Sequence, residues 1–385
     1  MIAYLMKLSA DNNNNRYYKM IQNKDIIEIE YGRVGAKPMK MKRPMQLWNE
    51  TYDKHIKDGY IDRTDLLSIQ ETGEYKTIED PYTRQLIEFL ISRSKEIINE
   101  CYSVSYTEVS SKMISAAQKI INNIGLQQSM EAVNDLLKKL YVIIPRKMKN
   151  VSDYLIADMK QIGDVIEREQ ELLDIMASQV DDLDNSNDKK TILEANGLSV
   201  KLVESDKEID QIKSHMGEQK SHFIKAFRIK NKKTDENFLK WCKDNNISKT
   251  DVHFYYHGSK NENYWGILKD GQKLNPNASV CGKMFGYGLY YANKAKKSMN
   301  YTSISARWRS GIENRGYLAV FKVAYKNPLH VSMFEMWMTN IRTSKDINGH
   351  DAVFRYAKHY KKNRKWNTGC GAKRSICKEK CRYDL

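Results

Sequence analysis

Two stretches decide how this chain is read. The first is Tyr256-His257-Gly258-Ser259, and the second is GKMFGYGLYYA over residues 282–292, followed closely by Ser298-Met299-Asn300-Tyr301. The run His253–Tyr256 is strand-like, so His257 and Gly258 fall at a strand end. Glycines cluster from Gly258 to Gly288, where tight turns around a ligand need backbone freedom. Each feature alone is weak. A lone strand histidine is more often structural than catalytic, and a glycine-rich turn cradles any phosphate. Tyr290 and Tyr301 taken singly read as core aromatics, and Ser298 as a helix cap. In this order, compressed into residues 256–301, the set is far more specific than its parts.

Working outward, the chain divides into three segments. Residues 1–75 are β-rich. Ile27, Ile29 and Tyr31 alternate with Glu28 and Glu30, the two-residue period of a half-buried strand. The run Asp11–Asn15 is a polar loop between strand-like Ala3–Leu8 and Tyr17–Ile21, and Leu47–His55 turns helical before Gly59. Residues 78–185 read as all-helical. Met113, Ala116, Ala117, Ile120, Ile121 and Ile124 share one helical face, as do Val133, Leu136, Leu137 and Leu140, and later Ile162, Val165 and Ile166. Pro145 ends the third helix, and the acidic Asp181–Asp188 reads as a linker. Residues 190–385 are mixed, with YLAVFKV over 317–323 as a buried strand.

Composition narrows the classes. Of 385 residues, 41% are hydrophobic and 29% charged, as in globular domains, and six cysteines are too few for a disulfide scaffold. No apolar run approaches the roughly 18 residues that cross a bilayer, so no membrane partner is expected. Met1–Ser9 turns polar too soon for a secretory signal, which predicts an intracellular soluble protein. The net charge is +16, unevenly spread: residues 221–300 carry 15 basic and 6 acidic side chains, and residues 355–385 carry 11 and 2. Such an excess suits phosphate-bearing partners as well as a solvated surface.

The segment from Tyr256 to Tyr301 closely resembles the NAD+-binding core of poly(ADP-ribose) polymerases. The resemblance extends to Tyr141-Val-Ile-Ile-Pro145 of the family's helical regulatory domain, to Asn187–Lys243 before the catalytic fold, and to Gly349–Val353. Tyr31-Gly32-Arg33-Val34-Gly35 with Asp58–Asp62 resembles the WGR domain, tyrosine standing for the naming tryptophan. It implies a multidomain α+β protein: a WGR-like DNA-binding module at 1–75, a helical regulatory bundle at 78–185, and an ADP-ribosyltransferase fold of split antiparallel sheets at 190–385. The resemblance is to the shorter DNA-dependent members, in which no zinc-finger or BRCT-like segment is expected ahead of these three.

The resemblance also implies an activity: NAD+-dependent ADP-ribosyl transfer stimulated by damaged DNA ends or nicks, onto acceptor proteins including the chain itself, in the nucleus if the source is eukaryotic. NAD+ is the substrate and no metal is expected. Cleaving nicotinamide from NAD+ develops oxocarbenium-like charge on the ribose. By residue-wise carry-over, Gly258 and Ser298 would hold the carboxamide, Tyr301 would stack on the ring, and Tyr290 would close its other side. His257 and Ser259 would bind the adenine ribose. Lys273 stands where the family has an arginine, offering a point charge without the planar fork.

The family's catalytic glutamate sits in a Glu-x-x-x-Tyr pattern. Here Glu379 with Tyr383 fits that spacing, whereas a second register places Ala372–Ser375 there with no acid. Lys380, Cys381 and Arg382 suit a buried strand poorly, and without the glutamate chain elongation fails; the expectation is short or single ADP-ribose units, the alternative a catalytically weak or inactive DNA-end-binding protein that keeps the fold. Cys370, Cys377 and Cys381 with His359 offer four thiol and imidazole groups, but their spacing matches no zinc knuckle. Lys361–Lys365 reads equally as a solvated tail or a nucleic-acid contact.

Overall fold

The computed structural model describes residues 1–67, 74–184, 189–273, 288–305, 313–331, 352–355, 374–377 and 383–384. Glu379, most of the glycine-rich turn (282–287), Gly349–Asp351, His359, Lys361–Lys365, Cys281, Cys370 and Cys381 lie outside them. The chain is a mixed α and β structure with antiparallel sheets, divided into two compact units. One comprises residues 1–73 with 95–184, and the other residues 74–94 with 185–275 and 282–385.

In the first unit, β1 (Ile2–Ser9), β2 (Asn14–Asn23), β3 (Ile26–Arg33), β4 (Met39–Pro44) and β5 (Ile61–Asp62) form an antiparallel sheet in the order β4-β3-β2-β1-β5. Alternation explains its burial. Ile27 and Ile29 are buried with Leu5 and Met20, while Glu28 and Glu30 pair with Lys42 and Lys40. Helix α1 (Trp48–Lys57) covers this face with Trp48. Asn12 and Asn13 take left-handed backbone between β1 and β2, a conformation asparagine tolerates.

Helix α2 (Pro81–Cys101) begins in the second unit and ends in the first. Helices α3 (Ser111–Ile124), α4 (Met130–Ile143) and α5 (Ile162–Asp184) follow. Ser110 and Ser129 cap α3 and α4, accepting from Met113 N at 3.3 Å and Ala132 N at 3.2 Å. The apolar faces expected from spacing, Ala117, Ile121, Val133, Leu137, Val165 and Ile166, meet in one core. The acidic stretch read as a linker is helical as far as Asp184, because the helical face of α5 continues through Met176 and Val180.

The second unit adds α6 (Ile192–Ala195), β6 (Leu198–Leu202), α7 (Asp206–Met216), β7 (Phe227–Asn231), α8 (Lys232–Asp244), β8 (Val252–Gly258), α9 (Tyr264–Asp270), β9 (Leu289–Ala292), α10 (Ala295–Met299) and β10 (Leu318–Ala324). Four short strands complete it: β11 (Pro328–Val331), β12 (Ala352–Arg355), β13 (Arg374–Cys377) and β14 (Tyr383–Asp384). β6 and β7 pair alone, and the others form a sheet in the order β11-β12-β13-β9-β8-β10-β14. Among the described residues of this sheet, β11 and β12 pair in parallel and the other neighbours antiparallel. Among the described residues the sheet has a narrow seam: β8 and β9 share a single register pair, Tyr256 with Ala292, whereas β8 and β10 share seven. The N-terminal part of α2 belongs to this core through Leu86, Ile87 and Leu90, packed with Trp265 and Leu268.

Candidate functional site

The seam is where the expected site residues gather. β8 ends at His257 and Gly258, held by β10 through the pairs His257 with Ala319 and Gly258 with Leu318. Across the seam, side chains do what the ladder does not. The Ser298 hydroxyl on α10 donates to the Tyr256 carbonyl at 2.8 Å, and Ser298 is buried. His257 Nδ1 lies 3.1 Å from the Tyr290 carbonyl on β9. A carbonyl only accepts, so Nδ1 carries the proton, and in the neutral ring Nε2 is the acceptor nitrogen. The ring is steadied edge-on by Tyr291 and Phe321, with centroids at 6.1 and 6.0 Å.

Gly258 is required by packing. A Cβ built on it would stand 2.8 Å from the Ser298 carbonyl carbon, nearer still to that carbonyl's oxygen, and 3.1 Å from Thr302 Cγ2. The backbone at 258 therefore runs directly against α10, which only glycine permits. Tyr301 follows one turn on, its amide donating to Ser298 O at 3.0 Å. His257, Gly258, Tyr290, Ser298 and Tyr301 are thus linked through one short network at the end of β8.

Two expected residues are engaged elsewhere. The Ser259 hydroxyl accepts from Asn263 Nδ2 at 3.1 Å. Lys273 pairs with Asp270 at 2.8 Å, at the C-terminal end of α9. Burial by itself would raise the Asp270 pKa; the charge and hydrogen bond of Lys273, with Lys233 and Lys269, overcome that and hold it below the ordinary value. Ser298 spends its proton on Tyr256, so toward a ligand its oxygen is an acceptor.

Sequence reasoning missed the frame around this network. Asn261, fully buried, donates through Nδ2 to Glu313 Oε2 at 2.7 Å and Arg315 O at 3.0 Å, and its amide donates to Ser303 Oγ at 2.8 Å. Arg93 Nη2 reaches Glu313 Oε1 at 2.9 Å, and Ser94 Oγ donates to Glu262 O at 2.7 Å. Tyr264 donates to Tyr317 O at 2.7 Å, and burial pushes its phenol far above the usual range. Nothing in the spacing of these residues announces partners up to 220 positions apart.

Comparison with known proteins accords with this geometry. The poly(ADP-ribose) polymerase catalytic domain model matches residues 203–372. Uncharacterized protein 101L of Invertebrate iridescent virus 6 is 33% identical over 187 residues, covering 47% of this chain and 78% of the viral one. Residues 203–372 are thus similar to the catalytic domain of poly(ADP-ribose) polymerases. Poly [ADP-ribose] polymerase 1 of Gallus gallus is 25% identical over 247 residues, 58% of this chain. Poly [ADP-ribose] polymerase 2 of Zea mays is 32% identical over 123 residues, 32% of this chain. The matches span 24% of the chicken polymerase and 18% of the maize one. Among the described residues, no helix is long and apolar enough to cross a membrane.

Proposed function

We propose that the chain transfers ADP-ribose from NAD+ to protein acceptors, itself included, in short or single units, and that DNA ends or nicks bound through residues 1–75 stimulate it. The observation that carries the reading is the close approach of Gly258 to Ser298, with the His257–Tyr290 link beside it. In this reading the backbone at Gly258 donates to the nicotinamide carboxamide oxygen, and Ser298 Oγ accepts from its amide nitrogen. Tyr301 and Tyr290 hold the ring flat, a stacking contact worth about 0.5–1.5 kcal/mol beyond burial. His257 Nε2 accepts from the adenine-ribose hydroxyl. Holding both ends of NAD+ fixes the glycosidic bond in the orientation from which nicotinamide leaves.

The link from a DNA-binding module to the rest of its unit would pass through Arg33. Its guanidinium donates to Asn13 O at 2.7 Å, Met148 O at 2.9 Å and Lys149 O at 2.6 Å, tying the end of β3 to the segment after α4. A weak or inactive DNA-end-binding protein is the second reading. It is favoured by the residues beside Glu379, because Lys378 and Lys380 suit a solvated segment better than a buried strand.

The test is labelled NAD+ with nicked DNA, comparing wild type with Glu379→Gln. Label on protein as single units, with a loss in the variant of about a hundredfold or more, supports transfer through Glu379, because general acid–base groups contribute about 10²–10⁴-fold. Long polymers would overturn the short-product reading. Absence of label would favour the binding protein.

A further inference from the structure

Glu313 lies just ahead of β10, where three segments of the second unit converge. Its two carboxylate oxygens take different partners. Oε1 accepts from Arg93 Nη2 on α2 at 2.9 Å, and Oε2 accepts from Asn261 Nδ2 at 2.7 Å. Its backbone amide donates to Ser303 O at 3.2 Å, and Ser303 Oγ accepts from the Asn261 amide at 2.8 Å. Asn261 lies three residues beyond Gly258, and Ser303 two residues beyond Tyr301. One residue thus grips both sides of the seam, the chain leaving β8 and the chain leaving α10.

Packing carries that grip to the pocket. Thr302, 1% exposed, touches both: a Cβ built on Gly316 would stand 3.2 Å from Thr302 Cβ, and one built on Gly258 would stand 3.1 Å from Thr302 Cγ2. The strap 313–316 therefore backs Thr302, and Thr302 backs the approach of Gly258 to Ser298. Helix α2 holds the strap in turn. Phe89 and Arg93 are one helical turn apart on it, and the Arg315 guanidinium lies 4.8 Å from the centre of the Phe89 ring.

The position calls for a carboxylate. Both side chains facing Glu313 present donors, so both of its oxygens must accept. A glutamine would accept on one side and aim an N–H at a donor on the other. Asn261 is fully buried, so losing its acceptor either costs free energy or moves the loop that carries it. Movement of that loop, or of the chain at Ser303, changes the separation of Gly258 from Ser298.

We propose that Glu313 is a positioning residue for the donor substrate: it sets the spacing of Gly258 and Ser298, and with it the affinity for the nicotinamide carboxamide. Arg93 acts through it, supplying the counter-charge and fixing the carboxylate in place. The inference rests on the nicotinamide reading of that pocket.

The experiment measures benzamide binding to the full chain by calorimetry, beside the ligand-free melting temperature. Glu313→Gln should raise the Kd about tenfold, well within the roughly 10²-fold that a misplacement of about 1 Å can cost. Arg93→Gln should do the same, and Arg93→Lys, which keeps the charge, should do so less. In the double variant Arg93→Gln with Glu313→Gln the two losses should not add, because they act along one path. Arg228→Gln, which breaks the Arg228–Glu208 pair elsewhere in the same unit, should leave the Kd unchanged. A folded Glu313→Gln protein with the wild-type Kd would overturn the proposal. So would an equal rise in Arg228→Gln, since affinity would then merely follow stability. Wild-type protein that binds no benzamide would defeat the pocket reading itself. Should Glu313→Gln fail to fold, Arg93→Gln and Arg93→Lys decide by the same comparison.

Discussion

Substituting alanine for Gly258 adds one methyl group at the tightest approach between β8 and α10. The added carbon would lie 2.8 Å from the Ser298 carbonyl carbon, about 0.6 Å inside the ordinary contact distance of 3.4 Å, and closer to the oxygen. The obstacle is backbone, and Ser298 and Thr302 are 4% and 1% exposed, so no flexible side chain can swing aside. Residues 298–302 must move away from the strand. Overpacking of this kind costs about 1–3 kcal/mol. The same movement stretches the 2.8 Å bond from Ser298 Oγ to Tyr256 O, whose net worth is about 0.5–1.5 kcal/mol. For a unit of this size each kcal/mol lowers the melting temperature by about 2–4 °C, so a fall of about 3–18 °C is expected. The assay is thermal unfolding with and without saturating benzamide, which mimics nicotinamide and stabilises wild type by binding only the folded state. Gly258→Ala should lose most of that stabilisation. Ser298→Ala, which removes the hydroxyl without crowding, should lose the hydrogen-bond part of stability only. A Gly258→Ala protein with wild-type melting temperature and benzamide response would refute the packing argument and the pocket with it.

Other outcomes follow from the same geometry. Arg33→Ala removes a charged donor from Asn13, Met148 and Lys149, so the first unit should lose about 1.5–3 kcal/mol and DNA stimulation should fall; unchanged denaturation midpoints would contradict this. Deleting residues 78–185 should unfold the second unit, because Leu86, Ile87, Leu90, Arg93 and Ser94 are part of it. A deletion that keeps residues 74–94 should leave the unit folded, as judged by resistance to proteolysis. Asp270 has a folded pKa below its unfolded one, so its pairing with Lys273 stabilises at neutral pH. That contribution should disappear as pH falls through and below the ordinary carboxylate value of about 3.9, and Asp270→Asn should flatten the acid limb of the stability profile.

Much of the local structure was legible because it follows backbone period. The alternation of Ile27, Glu28, Ile29 and Glu30 could only be a strand with one wet face, and Ala117, Ile121, Leu137 and Val165 could only line helices facing a common core. His257, Gly258, Tyr290, Ser298 and Tyr301 were singled out together because they lie within 45 residues and their order is specific. The limit came where a helical face ran past its polar composition, as in α5, which continues through an acidic stretch that reads as a linker.

What the tertiary structure alone decided is which distant groups meet. The sequence marks Gly258 as a turn residue, but its necessity comes from the Ser298 backbone against it. Arg93 pairs with Glu313, Arg33 with carbonyls 115 residues away, and Arg146 with a carboxylate on α5, none at a spacing that any local period produces. The sheet order brings β13 beside β9 and β14 beside β10, although each lies far from its partner in the chain. A backbone period repeats every two or 3.6 residues and is written locally. A buried charge or hydrogen-bond partner is chosen by whichever group closes the core around it, so its identity emerges only when the chain is folded.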